Sequence, residues 1–499
     1  MKLYNTLTGT SEEFHVTKNT VLMYVCGITP YSHSHLGHTM RAIVFDMIRR
    51  YFEFKGYQVK HIENFTDIDD KMIDVANKTG ISTAELAEGH IKNYLSEMRQ
   101  LNILPAEIYP RATQEIPKIQ EMISGLIEKK FAYQVGGDVY FRVRNCPNYG
   151  KLSHRTLDSM REGSRVEVNE NKEDPMDFVL WKSQKPQEPA WESPWGLGRP
   201  GWHIECSAMA LNYLGKTLDI HGGGQDLVFP HHENEIAQSE SYTEHTPMSR
   251  FWIHNGLVRF GESKMSKSLG NVVSTQEALD NFSPDAIRLF FLSSHYRSPI
   301  TYTKRGVKSQ ERAVERLRYA TNNSPPNLDS RKTSLDSHGY TKKFISSMDD
   351  DFNTPRAISV LFDLSRSINK SAEEGIDIVD AQNTLRQLAS ILGLTLKEQT
   401  HSVKDEPGPL LELLSETSDN LSKINLDDTD SLIFDYLANI PKDISDNTSE
   451  LIKLLLITRS DLRKTKQFQL ADHIRDRLSD LGYSLDDTAS GTQWKRREQ

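Results

Sequence analysis

Three cysteines among 499 residues are too few to staple a fold. A disulfide framework is therefore excluded, and a reducing compartment, the cytoplasm, is expected. No apolar run approaches the ~18 residues that a membrane-spanning helix needs. Met1–Thr6 leads straight into polar residues, unlike a secretory leader. These absences predict a chain with no membrane partner. Excess positive charge is missing too: 60 Lys and Arg against 69 Asp and Glu give a net charge of −9. That excludes nucleic-acid binding through overall charge but not through a local surface, because the charges are unevenly spread. Residues 401–450 hold 3 basic against 12 acidic side chains, whereas 451–499 hold 10 against 7 and carry Lys495-Arg496-Arg497. No internal repeat is visible.

What is present divides into about three domains by length. Val21–Val25 reads as a buried strand. Val44, Met47, Ile48, Tyr51 and Phe52 then share one helical face that Gly56 can end, and Tyr57–Phe65 follows as a second strand. Such a βαβ unit predicts an α/β fold with a parallel, doubly wound sheet of Rossmann type, whose ligands bind beyond the C-terminal strand ends. Cys26 and Thr66 fall at those ends. Residues 72–130 read mostly as helices. Residues 131–200 change to short strands, a charged loop and the proline-rich Lys185–Pro194, as an insertion splitting the sheet would. Helical patterning returns over 310–395 and again in Leu451–Leu462 and Phe468–Leu481, with an acidic, loosely packed linker expected over 396–440.

Two short elements carry phosphate chemistry. His35-Leu36-Gly37-His38 opens the first helix, where unpaired N–H groups and the positive dipole end suit phosphate. Gly37 admits close approach, and two imidazoles can donate hydrogen bonds to oxygens that gain charge during transfer. Lys264-Met265-Ser266-Lys267-Ser268 lies in a Gly/Ser-rich loop between an apolar stretch and helical residues 276–292. It offers two ammonium groups to a triphosphate. Two thiols, Cys26 and Cys206, together with an imidazole and a carboxylate from Pro230-His231-His232-Glu233-Asn234-Glu235, are a plausible zinc donor set.

The two phosphate elements resemble the paired signatures of class I aminoacyl-tRNA synthetases. Met23–Gly27, Asn64–Lys71, Gly198–Ser207, His221–Asp226, Phe229–Gln238, Asp349–Pro355 and Leu470–Arg497 are similar, more narrowly, to the cysteinyl-tRNA synthetase family. The resemblance implies activation of L-cysteine by ATP and its transfer to the 3′ end of tRNA(Cys). It implies zinc on Cys26, Cys206, His231 and Glu235, selecting cysteine over serine through its soft thiolate. The catalytic residues would be His35, His38, Lys264 and Lys267. Thr29, Gly37, Gly224 and Asp226 would join them around ATP and its Mg²⁺, while Gly27, Thr66 and Trp202 would surround the amino acid. Arg475, Trp494, Lys495 and Arg496 would meet tRNA.

The resemblance also implies boundaries and a monomer. A catalytic domain would occupy 1–117 and 201–245, with the connective insertion at 118–200. A linking domain at 246–309, a bundle at 310–395, the linker at 396–440 and an anticodon-binding module at 441–499 would follow. Gly27-Ile28-Thr29-Pro30-Tyr31 is also similar to the mycothiol cysteine ligases, which pass activated cysteine to an amino sugar. Glu235 and the extended C-terminal region favour the synthetases. A third reading, a non-catalytic tRNA-binding paralogue, predicts erosion of His35, Gly37, His38 or Lys267, and all four are present.

Overall fold

Four parallel strands carry the architecture: Thr20–Ile28, Gln58–Phe65, Leu218–Gly224 and Ser249–Asn255. In space the fourth lies beside the third, the third beside the first and the first beside the second. The strand order thus reverses between Thr20–Ile28 and Leu218–Gly224, and a crevice opens there at the C-terminal ends. The computed structural model describes the chain except residues 17, 158–159, 161–170, 261–262, 265–271, 324–333, 398–407, 422–447, 466, 489–490 and 497–499.

Alternation explains the first strand. Val21, Met23 and Val25 face the core shared with the helix Leu36–Phe54, while Tyr24 and Cys26 face the opposite cluster with Met209 and Trp252. Ile28 returns to the first core. The parity breaks because the pairing runs from Val25↔Glu63 to Ile28↔Phe65, three steps on one strand against two on the other. This is a β-bulge at Cys26–Gly27. The helix ends as expected, with Gly56 at φ +90°.

The expected insertion is a helix, Ile116–Glu128, followed by an antiparallel sheet of Ala132–Val135, Asp138–Phe141, Phe178–Ser183 and Gly198–Pro200. One expected boundary shifts: Ser249–Asn255 is the outer strand of the parallel sheet, so the second half of the sheet extends beyond 245. Its aromatic run, read from sequence as part of a linking segment, is buried by pairing with Leu218–Gly224. Lys304–Asn322, His338–Met348, Thr354–Glu373 and Val379–Ile391 are the expected helices of the bundle.

The fully buried Arg288 holds the bundle and the sheet domain together. It meets Asp46 of the first helix at 2.5 Å and donates to the carbonyls of Leu101 and Leu392 at 3.0 and 2.9 Å. Breaking a buried pair by removing one partner costs about 3–5 kcal/mol. Arg50 still contacts Asp46 at 2.8 Å, so Arg288→Met is expected near the lower end of that range. A lowered urea midpoint of tryptophan fluorescence would register it.

Residues Met1–Lys397 form one compact unit and Glu398–Gln499 a second. The second corrects the linker expectation. Gly408–Leu421 is a helix whose Leu410, Leu413 and Leu414 share a core with Leu451, Leu455, Ile474 and Leu478. Their i, i+3, i+4 spacing packs one face while Glu412 and Asp419 of the same helix stay exposed. Helices Thr448–Lys464 and Phe468–Asp480 and the hairpin Tyr483–Thr488/Gly491–Arg496 complete the unit. No described helix is long and apolar enough to cross a membrane.

Candidate active site and metal centre

At the strand-order reversal, Cys26, Cys206, His231 and Glu235 bring one ligand atom each within 4.8 Å of one another, all buried. Cys26 comes from the bulge. Cys206 lies on the helix Trp202–Leu214, and Glu235 opens the helix Glu233–Thr243, one turn after His231. Cys26 Sγ stands 3.3 Å from Glu235 Oε1, which is 3.0 Å from His231 Nε2. His203 Nδ1 lies 3.0 Å from His231 Nδ1, and Trp202 stacks on the His231 ring at 4.3 Å. Trp202 is 39% exposed, so it covers the His231 ring from the solvent side and does not pack in the core.

The electrostatics fit a cation. Burial, reinforced by Cys206 and Glu235, pushes the Cys26 thiol up. The hydrogen bond from Cys26 draws the Cys206 thiol down to about 6 against the cost of burial. Burial opposes charge on His231, yet Glu235 and Cys206 raise it to about 10. Burial likewise opposes charge on Glu235, but His221 and His231 hold it well below the usual carboxylate range. A thiolate and a carboxylate thus draw a proton onto an imidazole where a metal would supply positive charge.

Two further imidazoles converge that the sequence reading left out. His221 Nε2 lies 3.5 Å from Cys26 Sγ and 3.3 Å from Glu235 Oε2, and His232 Nε2 lies 3.3 Å from Cys26 Sγ. Cys26, His221, His232 and Glu235 form a second possible ligand group. In sequence His232 adjoins Glu233 and Asn234. Glu233 turns away to the Leu152 and Ser153 amides, and Asn234 to Tyr149. His232 alone turns inward, with His254 at 2.8 Å on its other nitrogen. For His221 the available signal was a histidine on a buried strand; His232 lies in the turn Val228–His232 and offered none.

The amino-acid candidates border this group. Gly27 sits where a Cβ would lie 1.6 Å from the Asn64 carbonyl oxygen, and its N–H donates to Asn64 Oδ1 at 2.9 Å. Asn64 Nδ2 also reaches Thr66 Oγ1 at 3.3 Å, and the Thr66 N–H donates to Ile28 O at 3.0 Å. Asn64 is another residue that sequence reasoning passed over as a site residue.

The nucleotide candidates cap a helix. His35 Nδ1 accepts from the Gly37 N–H at 3.1 Å, and His38 Nδ1 accepts from the His35 N–H at 3.3 Å. The two rings stack at 3.8 Å. A ring that accepts through Nδ1 carries its proton on Nε2, so both present an Nε2–H donor. Ser34 ties this end to the segment after the lysine motif: its hydroxyl lies 2.6 Å from Thr275 Oγ1, which is 2.9 Å from Thr39 Oγ1, and it donates to Glu97. Thr29 is half-buried in the loop before the helix. Gly224 ends its strand where a Cβ would crowd Asp226 Oδ1 at 2.6 Å, and Asp226 is exposed beside it. Lys264 pairs opposite Arg259 in a short hairpin, and Lys267 lies outside the described residues.

The tRNA candidates separate. Arg475 is exposed on Phe468–Asp480. Trp494 is half-buried, its ring 5.6 Å from Tyr483 against the C-terminal core. It therefore packs within the fold, as a plug on the last helix would. Lys495 and Arg496 lie on the final strand, and their side chains are outside the described residues.

Comparison with known proteins agrees with this geometry. The family described as tRNA synthetases class I (C) catalytic domain matches residues 13–312, and the DALR domain matches 343–397. Two solved structures share the fold. Methionyl-tRNA synthetase of Mycobacterium tuberculosis bound by methionyl-adenylate gives a TM-score of 0.52 at 15% identity, covering 79% of this chain and 94% of that one. LeuRS of Agrobacterium radiobacter, in a ternary complex with tRNA, gives 0.56 at 12% identity, covering 77% and 85%. The fold is that of a class I aminoacyl-tRNA synthetase.

The cysteine–tRNA ligase of Dehalococcoides mccartyi strain BAV1 is 51% identical over 99% of both chains. That of Geobacillus thermodenitrificans is 43% identical over 99% of both. This chain belongs to the cysteine–tRNA ligase family.

Proposed function

We propose that the chain activates L-cysteine with ATP and transfers it to the 3′ end of tRNA(Cys), acting as a cytoplasmic monomer. The observation that carries the reading is the convergence of Cys26, Cys206, His231 and Glu235 at the strand-order reversal, beside the helix end bearing His35 and His38. Two thiols, an imidazole and a carboxylate, all buried, fit one zinc ion. When bound, zinc supplies a soft Lewis acid that favours a thiol over the hydroxyl of serine. Trp202 and the Gly27–Thr66 bulge frame the amino acid above that group.

The cysteine carboxylate attacks the α-phosphorus of ATP, the bond to the β-phosphate oxygen breaks, and pyrophosphate leaves. The 3′-terminal ribose hydroxyl of tRNA then attacks the carbonyl carbon and AMP leaves. No enzyme nucleophile is needed, because positioning and charge stabilisation carry both steps. His35 and His38 direct Nε2–H donors at phosphate. Lys267, supported by Lys264, adds positive charge, and Mg²⁺ accompanies the triphosphate. Gly37 admits the nucleotide, with Thr29, Gly224 and Asp226 bordering it. In the C-terminal unit Arg475, Lys495 and Arg496 meet tRNA phosphates, with Trp494 as their structural support.

Likeness to cysteine–tRNA ligases runs through the C-terminal residues, which favours tRNA as acceptor over an amino sugar. Cysteine-dependent ATP–pyrophosphate exchange followed by charging of tRNA(Cys) tests the reading. Exchange with serine is expected to be at least ~10³-fold slower, beyond the ~10–200-fold that shape alone gives near-isosteres. Exchange without charging of any tRNA would overturn the acceptor.

A further inference from the structure

The bulge that carries Cys26 removes two backbone groups from the sheet ladder, and two buried side chains take them up. Asn64 receives the Gly27 N–H, as described. The Cys26 carbonyl accepts from Arg41 Nη1, contributed by the same helix that His35 caps. The other end of the guanidinium meets Glu63 Oε1 at 2.6 Å and the Tyr94 hydroxyl at 2.9 Å. Tyr94 in turn donates to Glu63 Oε1 at 2.6 Å. Arg41, Glu63 and Tyr94 are 4%, 6% and 1% exposed. Glu63 is the residue paired with Val25 just before the register shifts.

A buried ion pair is close to break-even as a source of stability, because desolvation offsets the attraction. What this one supplies is direction. Glu63 and Tyr94 fix the plane of the guanidinium from one side, and its remaining edge is aimed at the carbonyl of a residue whose thiol faces the metal group. A planar, multi-donor fork can hold three acceptors at once, and a lysine ammonium on a flexible stem cannot reproduce that geometry. Among the four ligands, Cys26 and His231 lie where regular structure is interrupted, His231 in the kinked turn Val228–His232. Cys206 and Glu235 lie within regular helices.

We infer that Arg41 is the positioning residue for the metal site, locking the Cys26 bulge against the helix that carries the nucleotide signature. The inference rests on the zinc reading above and adds to it a residue that touches neither metal nor substrate. Partners that orient a metal ligand typically alter metal affinity by about 10–100-fold when removed. A structural role alone would lower thermal stability without singling out the metal or the amino acid.

The test uses the full-length chain and its Arg41→Met, Arg41→Lys and Tyr94→Phe variants. Zinc affinity is read by chelator competition, the cobalt-substituted site by visible absorption, and KM for cysteine and for ATP by pyrophosphate exchange at saturating zinc. Arg41→Met is expected to bind zinc about 10–100-fold more weakly, with an altered cobalt spectrum and a raised KM for cysteine but not for ATP. Arg41→Lys should fall between it and the parent. If Arg41→Met does not fold, Tyr94→Phe, which removes one hydroxyl, decides the matter and should weaken zinc binding in the same direction. Parent-like zinc affinity in whichever of these two variants folds, with only the melting temperature lowered, would overturn the inference and leave the zinc reading intact. A parent chain that itself binds no zinc would overturn both.

Discussion

Cys206→Ser is expected to release the zinc ion and to reduce cysteine-dependent pyrophosphate exchange by at least ~10²-fold, since loss of an outer-shell partner alone costs 10–100-fold. Serine preserves the shape of the side chain but presents a hard, protonated hydroxyl where Cys206 is held toward the thiolate. Its other partners, Cys26, His231 and Glu235, remain in place, so the fold should survive while the metal does not. Metal content by elemental analysis and exchange kinetics give the two readouts. Cys146→Ser is the matched control. That thiol sits at the edge of the insertion core, only partly buried, and the substitution should leave both readouts within about twofold, as changes away from buried features generally do. Equal effects at the two positions would remove the distinction on which the metal assignment stands.

Gly27→Ala should be nearly as damaging, by another route. The added methyl would stand 1.6 Å from the carbonyl oxygen of Asn64 and 2.7 Å from its carbonyl carbon. The obstruction is backbone in the neighbouring strand, so no rotamer change relieves it. The two strands must part at the bulge, moving Cys26 and Thr66 together, and overpacking on this scale costs about 3 kcal/mol or more. A displacement of ~1 Å at a reacting centre can cost 10²-fold in rate. Pyrophosphate exchange should therefore fall by about that factor even at temperatures where circular dichroism reports a folded chain. Retained exchange with unchanged KM for cysteine would show that the strand end tolerates what the packing forbids.

Local pattern announced much of this architecture. The period-two burial of Val21, Met23 and Val25 and the helical face from Val44 to Phe52 are written in consecutive residues, and so is the strand-end address of Cys26 and Thr66. The two rare thiols were conspicuous as metal donors, whereas the choice of His231 and Glu235 within Pro230–Glu235 came from the resemblance to the synthetases. The bulge was not, since it is a register relation between strands about forty residues apart and leaves no mark on either alone. For the same reason Arg41 reads from sequence as one more polar residue on an amphipathic helix. His221 and His232 approach Cys26 only after the sheet has formed. In the 401–450 stretch net charge masked a usable signal: Leu410, Leu413 and Leu414 have helical spacing, and three leucines on one face outweigh exposed acids of the same helix. Trp494, assigned from sequence to RNA, is half-buried with one side against Tyr483, a contact its sequence does not announce.

The reciprocal cap at the start of the first helix has one more consequence. An imidazole that accepts a backbone N–H through Nδ1 offers its other nitrogen as the donor, so on the proposed reading His35 and His38 would reach a polyphosphate through N–H groups already aligned by the cap. Donors held in place beforehand need no rearrangement as negative charge gathers on the oxygens of the leaving diphosphate. The cap would thereby do its part before the nucleotide arrives, by holding both rings in the orientation that the transfer needs.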